Sequence, residues 1–120
     1  MTELENFISG FNKEIQKILR GLITIFESNS CTSSYKTIYI AFDLENEMVA
    51  AAYPHETHVE IALALAESHS NSNLKDASHL TWRTLPVSLE LYSEEELQKH
   101  SFLIAEALTR VQIGERNTNL

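Results

Sequence analysis

The sequence predicts an α+β fold: a four-stranded antiparallel sheet flanked by an N-terminal and a C-terminal helix, in the order α-β-β-β-β-α. Apolar residues recur every three or four positions over residues 2–27, whereas residues 35–92 contain segments that alternate with a period of two. The helical period then returns after Ser93. Both helices can cover one face of such a sheet, which is the simplest way to bury its apolar side chains.

Length and composition predict one soluble domain. The chain has 120 residues, of which 43% are hydrophobic and 22% charged. We expect the domain at residues 1–113 and a flexible tail at residues 114–120. The one cysteine, Cys31, allows no internal disulfide and predicts a cytoplasmic protein. No apolar run is long enough to predict a membrane span.

The net charge restricts the class of partner. A formal net charge of −8 repels phosphate backbones, so we expect no direct binding of nucleic acid. The sequence also lacks a phosphate-binding glycine loop and a dinucleotide fingerprint, and we expect no cofactor.

Residues 2–27 predict one long helix, which Thr2 and Glu5 begin with a capping box. This helix has more apolar side chains than one face needs for packing on a sheet, which predicts a second contact surface. We interpret this surplus as a homodimer interface, with deep burial between other elements as the alternative. Gly10 and Gly21 predict a kink or a close helix approach. The residues expected at the dimer interface are Phe11, Ile15 and Leu22.

The first two strands form a predicted hairpin after a polar loop at residues 28–34. YKTIYIAF, residues 35–42, directs Ile38, Ile40 and Phe42 to one face of the sheet. DLENE, residues 43–47, predicts the turn, and MVAAAY, residues 48–53, predicts the second strand.

Two further strands and the last helix complete the prediction. Val59, Ile61, Leu63 and Leu65 alternate as in a strand, although an alanine-rich helix is an alternative for this segment. A long polar loop at residues 67–80 precedes TLPVSLELY, residues 84–92, in which Pro86 predicts an edge or a bulge. Ser93 and Glu96 predict a capping box for the last helix, and Gly114 ends it.

The order and pattern of these segments resemble a known family. LENFISGFNKEIQKILRGLITIF, YKTIYIAF, the strand after Tyr53-Pro54, and LTWRTLPVSLELYSEEELQKHSFLIAEAL follow the order of a bacterial domain of unknown function. That domain forms the C-terminal part of chains catalogued as "predicted transport proteins" and also occurs beside restriction-like nuclease domains. The resemblance implies a compact α+β module appended to another function, and it carries over no catalytic residue. In relatives a glycine-rich segment precedes the last strand, whereas the corresponding segment here, DASHLTWRT, contains no glycine.

The motif HETH is the first candidate for a metal site. A zincin places its two histidines four positions apart on a helix, whereas His55 and His58 are three apart at the entry to a strand. Such residues face opposite sides of a strand unless the backbone bends between Pro54 and Glu56. We therefore expect no metal and interpret HETH as an ordinary strand entry.

The remaining candidates are aromatic and basic. Trp82 and Arg83 stand where the long loop enters the last strand, and such a pair can anchor a partner or a stacked ring. The sheet face that carries Tyr39, Ala51, Ala62 and Ala64 is half apolar, which suggests a binding or pairing surface. Asp76, Ser78 and His79 are adjacent in sequence, which does not make a triad. The expected ligand- or partner-binding residues are Tyr39, His58, His79, Trp82 and Arg83.

The sequence thus predicts a non-enzymatic protein-interaction or binding module without catalytic residues. We expect a homodimer with a possible protein partner, and the resemblance alone implies a role accessory to a nucleic-acid or defence system. The alternative is a small-molecule-binding protein or a small enzyme, with its site between the sheet face and the loop of residues 67–83.

Overall fold

The computed structural model describes residues 2–80 and 82–114, in which helices pack on an antiparallel sheet with the strand order β1-β2-β3-β4-β6-β5. Every neighbouring pair in this sheet is antiparallel. The elements are α1 (Glu3–Ser9), α2 (Lys13–Ser28), β1 (Thr32–Tyr35), β2 (Ile40–Leu44), β3 (Glu47–Pro54), β4 (Val59–Leu63), β5 (Lys75–Asp76), β6 (Val87–Leu91), α3 (Glu94–Lys99) and α4 (Ser101–Gln112).

The α+β class, the antiparallel sheet and the helices at both ends are confirmed, but the prediction of four strands is wrong because the described residues contain six. The predicted strand over residues 35–42 is broken by a tight turn in which Thr37 has φ +70°. Ile38 lies in this turn and is 66% exposed. The polar residues before the turn form β1, and two residues of the long loop form β5; neither segment has an apolar alternation that reveals a strand.

The predicted long first helix is two helices. Gly10 ends α1, and the Asn12 side chain begins α2 by accepting a hydrogen bond from the backbone N–H of Ile15 at 3.0 Å. Gly21 lies where α2 meets α3, because a Cβ at this position would approach Leu97 Cδ2 to 2.7 Å. Gly10 therefore marks the end of a helix where the sequence predicted at most a kink, and Gly21 marks a close approach between helices.

Both predicted N-cap residues cap their helices, but the reciprocal half of each capping box is replaced: Glu5 pairs with Arg20, and Glu96 accepts a hydrogen bond from the Tyr92 N–H. The last helix is also divided. The side-chain oxygens of Thr2 and Ser93 accept hydrogen bonds from the backbone N–H groups of Glu5 and Glu96, each at 3.1 Å. His100 separates α3 from α4. Gly114 adopts φ +78°, which suits a helix-terminating glycine. The predicted tail beyond Gly114 lies outside the described residues.

One face of the sheet, called here the helix-covered face, carries the large apolar side chains. The cross-strand register aligns Phe42, Ala50, Leu63 and Val87 in one row of this face. Phe26 of α2 stacks on Phe42 with ring centroids 4.2 Å apart. Helix and sheet thus share one hydrophobic core, in which all five of these residues are buried.

The opposite face is lined by small side chains. Its central row consists of Ala41, Ala51, Ala62 and Ser88, and each of these residues is 0% exposed. Residues 67–80 and 82–86, called here the strap, lie between β4 and β6, include β5 and contact this face through the side chains described below. We call it the strap-covered face, and its small residues allow the strap to lie close to the sheet.

The residues predicted for the dimer interface lie mostly in the core. Ile15 is 1% exposed and Leu22 is 0% exposed within the single chain, whereas Phe11 is half-buried. A side chain covered by its own chain has no surface left for a second copy, so deep burial, the alternative interpretation, describes Ile15 and Leu22. Among the described residues, no helix is long and apolar enough to cross a membrane.

Candidate functional site

An aromatic cluster joins the strap to the sheet. The rings of Tyr39 and Tyr53 stack with centroids 5.0 Å apart, and the Trp82 ring meets Tyr39 edge-on at 5.8 Å. Trp82 Nε1–H donates a hydrogen bond to the Tyr53 hydroxyl at 2.9 Å. The indole therefore contacts Tyr53 of β3 and Tyr39 of the turn before β2, and these two contacts fix its orientation.

The two tyrosines of the cluster stay neutral at physiological pH. Burial is the main cause that raises the pKa of both hydroxyls. The nearby Glu60 carboxylate raises the pKa of Tyr53 further, although the hydrogen bond from Trp82 acts in the opposite direction. The cluster is thus an uncharged platform and carries no general base.

A buried carboxylate lies beside this cluster. Glu60 is 9% exposed, and its Oε2 accepts a hydrogen bond from Ser88 Oγ at 2.8 Å. His79 Nε2 of the strap lies 2.7 Å from the same oxygen. A buried carboxylate needs such partners because an unpaired charge in a protein interior is strongly unfavourable.

The order of these three groups is not that of a hydrolase triad. In a triad the imidazole lies between the nucleophilic hydroxyl and the carboxylate, so that it can take the hydroxyl proton. Here Glu60 lies between Ser88 and His79, and both bonds go to the same oxygen. The arrangement fastens the strap to the sheet and leaves Ser88 without the imidazole base of a triad.

A second polar group lies across β6. Glu90 Oε1 accepts hydrogen bonds from Lys75 Nζ at 2.9 Å and from the Tyr92 hydroxyl at 3.1 Å, and His58 Nε2 lies 3.8 Å from Oε2. The hydrogen bond from Lys75 is the main cause that lowers the pKa of the Glu90 carboxyl. Glu60 and Glu90 are direct cross-strand partners, and the ammonium group of Lys75 beside Glu90 offsets part of the repulsion between two carboxylates.

HETH forms a tight turn between β3 and β4. The His55 N–H donates to the His58 carbonyl oxygen at 2.8 Å, so the backbone turns back here and the two histidines do not face opposite sides of a strand, whereas the sequence predicted that they would. The two imidazoles stack face to face with centroids 4.7 Å apart. No group of three or more His, Cys, Asp or Glu residues in the described parts of the chain is arranged to hold a metal ion.

The neighbouring sequence DASH is a turn within the strap. Asp76 accepts hydrogen bonds from the Ser78 backbone N–H at 3.2 Å and from Ser78 Oγ at 2.6 Å. The Leu80 N–H then bonds to the Ala77 carbonyl oxygen at 2.9 Å, which closes a second turn. The local bonds of Asp76 fix its carboxylate in place, which is the ordinary behaviour of aspartate in turns.

A concave site opens on the strap between these turns and the turn that begins at Trp82. It has a volume of about 450 Å³. Two acidic residues, one arginine and Trp82 contribute to its lining together with smaller residues. The lining residues are Glu67, Asp76, Ala77, Ser78, Leu80, Trp82, Arg83 and Pro86. We call it the strap cavity.

The predicted binding residues divide between four places. Tyr39 and Trp82 are in contact, His79 belongs to the adjacent Glu60 network, Arg83 lines the strap cavity, and His58 lies in the group around Glu90. Trp82 and His79 of the strap lie between the loop and the sheet face, where they contact Tyr39 and Glu60.

Sequence reasoning missed the two carboxylates around which the face is organised, Glu60 and Glu90. The available signal was a glutamate within a short, mostly apolar and buried strand, VEIAL and VSLEL respectively. It also missed Glu67 and Asp76 in the cavity, because side chains 9 positions apart in a loop have no periodicity that predicts a meeting. Only the path of the strap brings them together.

Comparison with known proteins gave no match: no family model, curated protein or solved structure is similar to this chain at a significant level.

Proposed function

We propose that this chain is a non-enzymatic binding module that takes a segment of a protein partner in the strap cavity. The observation that carries the proposal is the position of Trp82. Its indole is fixed by Tyr39 and Tyr53, yet it also lines an open cavity beside Arg83. Tryptophan and arginine are the side chains enriched at the energetic centres of protein interfaces, and a fixed ring loses little entropy on binding.

The chemistry of the candidate nucleophiles supports binding rather than catalysis. Ser88 is buried and donates to a carboxylate, not to an imidazole. Burial, followed by the charge of Asp43, raises the pKa of the Cys31 thiol to about 11. A thiol with this pKa is protonated at neutral pH and is a poor nucleophile.

The proposal keeps two expectations from the sequence. A cytosolic location is supported by the single cysteine, which is buried and free. A role accessory to a nucleic-acid or defence system is supported by the family resemblance alone. A homodimer through Ile15 and Leu22 is not included, because both side chains belong to the core of the single chain.

A selection from a library of random peptides displayed on phage tests the proposal. Peptides are selected on the wild-type protein and then compared on two variants. Trp82→Ala removes the ring, and Ser78→Tyr fills the cavity from an exposed position without changing the core. Far-UV circular dichroism and thermal unfolding first establish that each variant is folded.

We expect enriched peptides that bind the wild type and lose binding on both folded variants. If Trp82→Ala does not fold, Ser78→Tyr decides the outcome. Failure to enrich any peptide, or enriched peptides that bind both variants as well as the wild type, would show that the strap cavity is not a site for protein segments.

A further inference from the structure

The strap cavity contains more negative than positive charge. Glu67 and Asp76 supply two carboxylates, whereas Arg83 supplies one guanidinium. Ser78 holds the Asp76 side chain through two hydrogen bonds, so that this carboxylate is already oriented before a ligand arrives. An ionised carboxylate has about four acceptor positions, so both oxygens of Asp76 retain acceptor capacity for a further donor.

Trp82 adds a surface that favours a cation. The face of an indole carries negative electrostatic potential and attracts guanidinium and ammonium groups, with arginine the commoner partner in proteins. A planar guanidinium can also donate to a carboxylate with a bidentate geometry while it stacks on a ring. An arginine side chain is therefore complementary to the Trp82 ring and the carboxylates together.

The charge of the whole chain acts in the same direction. A formal net charge of −8 attracts basic partners and repels acidic ones over distances comparable with the Debye length, about 8 Å at physiological ionic strength. A phosphate or carboxylate ligand would gain one contact with Arg83 but would approach two carboxylates and an acidic surface. A basic segment is attracted by both carboxylates and by the acidic surface, and only Arg83 repels it.

We infer that the segment bound in the strap cavity is basic, and that an arginine side chain of the partner stacks on Trp82 between Glu67 and Asp76. This inference rests on the proposed function of the cavity. It assigns Arg83 an opposing role: its guanidinium weakens the binding of a basic segment, and its removal strengthens it.

Titration of the intrinsic fluorescence tests the inference, because Trp82 is the only tryptophan of the chain and reports on the cavity alone. The probe is the capped peptide Gly-Arg-Gly-Arg-Gly. Its first control replaces arginine with citrulline, which has nearly the same shape and no charge, and its second replaces arginine with glutamate.

We expect the arginine peptide to change the emission saturably and to bind about tenfold more tightly than the citrulline peptide, since charge-assisted hydrogen bonds are the stronger ones. Glu67→Gln is expected to lower the affinity for the arginine peptide about three- to fivefold, which is the effect of losing one exposed ion pair. Arg83→Gln is expected to raise this affinity about two- to threefold. Higher salt is expected to lower the affinity of the wild type and of each variant for the arginine peptide.

Glu27→Gln is the matched control, because it removes the same charge from an exposed position of α2, which packs on the other face of the sheet. It is expected to change the affinity by less than about twofold. Equal binding of the arginine and citrulline peptides, tighter binding of the glutamate peptide, or weaker binding by Arg83→Gln would each overturn the inference.

These outcomes are separable from those of the peptide selection. Peptides that depend on Trp82 but are neutral or acidic would leave the proposed function standing and overturn the inference. A selection that yields no peptide dependent on the cavity, together with no response to any of the three probes, would overturn both.

Discussion

The two faces of the sheet are held to their neighbours by different forces. On the helix-covered face, large apolar side chains such as Phe42 and Leu63 interlock with α2 and α4, and the contact has little exposed area. On the strap-covered face, the central row consists of alanines and Ser88, and the larger side chains beside it, such as Tyr53 and Glu60, are polar. There Trp82 and His79 make directional contacts with the sheet, and β5 adds a short backbone ladder with β6. The apolar part of the strap is smaller and mostly half-buried, as in Leu74 and Leu80.

This difference separates stability from recognition within a small domain. Burial of apolar area is non-directional and tolerates little change in volume, so the helix-covered face is suited to maintaining the fold. Hydrogen bonds and ring contacts also hold side chains in fixed positions, but each contributes less to the free energy of folding than the burial of a large apolar side chain. The strap can therefore carry a binding cavity whose residues vary without loss of the core.

The largest expected effect is on the helix-covered face. Phe42→Ala removes a ring that is 0% exposed and stacked on Phe26, which leaves a cavity between α2 and the sheet. We expect the free energy of unfolding to fall by about 3–5 kcal/mol. Chemical denaturation monitored by circular dichroism measures it. A loss below about 1.5 kcal/mol would contradict the assignment of the main apolar core to this face.

An intermediate effect is expected in the Glu60 network. Ser88→Ala removes a hydroxyl that is 0% exposed and takes one hydrogen bond from a buried carboxylate. We expect a loss of about 1–3 kcal/mol in the free energy of unfolding. Ser78→Ala is the matched control, since it deletes the same atom from an exposed turn, and we expect less than about 0.5 kcal/mol. Equal losses from the two variants would show that the network does not stabilise the strap.

The smallest expected effect depends on pH. The hydrogen bond from Lys75 lowers the pKa of Glu90, so it stabilises the folded state above the ordinary carboxyl pKa, about 4.3. This stabilisation is lost as the pH falls through the lowered pKa of the folded state. Lys75→Met should be slightly less stable than the wild type at pH 7 and equal to it in acid. A difference that persists in strong acid would show that Lys75 acts through packing.

The sequence was sufficient for elements with a strong period and insufficient for elements defined by tertiary contacts. Alternation predicted the strand at Val59, and capping residues predicted the helix starts at Thr2 and Ser93, because these signals are local. The break at Asn12 was missed, since an apolar seam continues through it and only the cap of Asn12 interrupts the helix. β1 and β5 were missed because short polar edge strands are specified by their neighbours.

The same division applies to the candidate site. Trp82, Arg83 and Tyr39 were predicted from residue type and position, and they lie at or beside the strap cavity. Glu67 and Asp76 were not, since their meeting depends on how the strap crosses the sheet. His58 was predicted for the same site but lies with Glu90 and Tyr92, because the turn after Pro54 directs its ring there.

Amide hydrogen exchange followed by NMR tests the contrast between the two faces most directly. The strap amides of Ala77 and Leu80, which bond to carbonyls at 2.9 Å, are compared with the amides that β3 and β4 share in the centre of the sheet. We predict that the strap amides exchange much faster, through local opening, and that the central amides exchange only on global unfolding. Equal protection of both sets would mean that strap and sheet unfold as one unit, which would contradict the separation of recognition from stability.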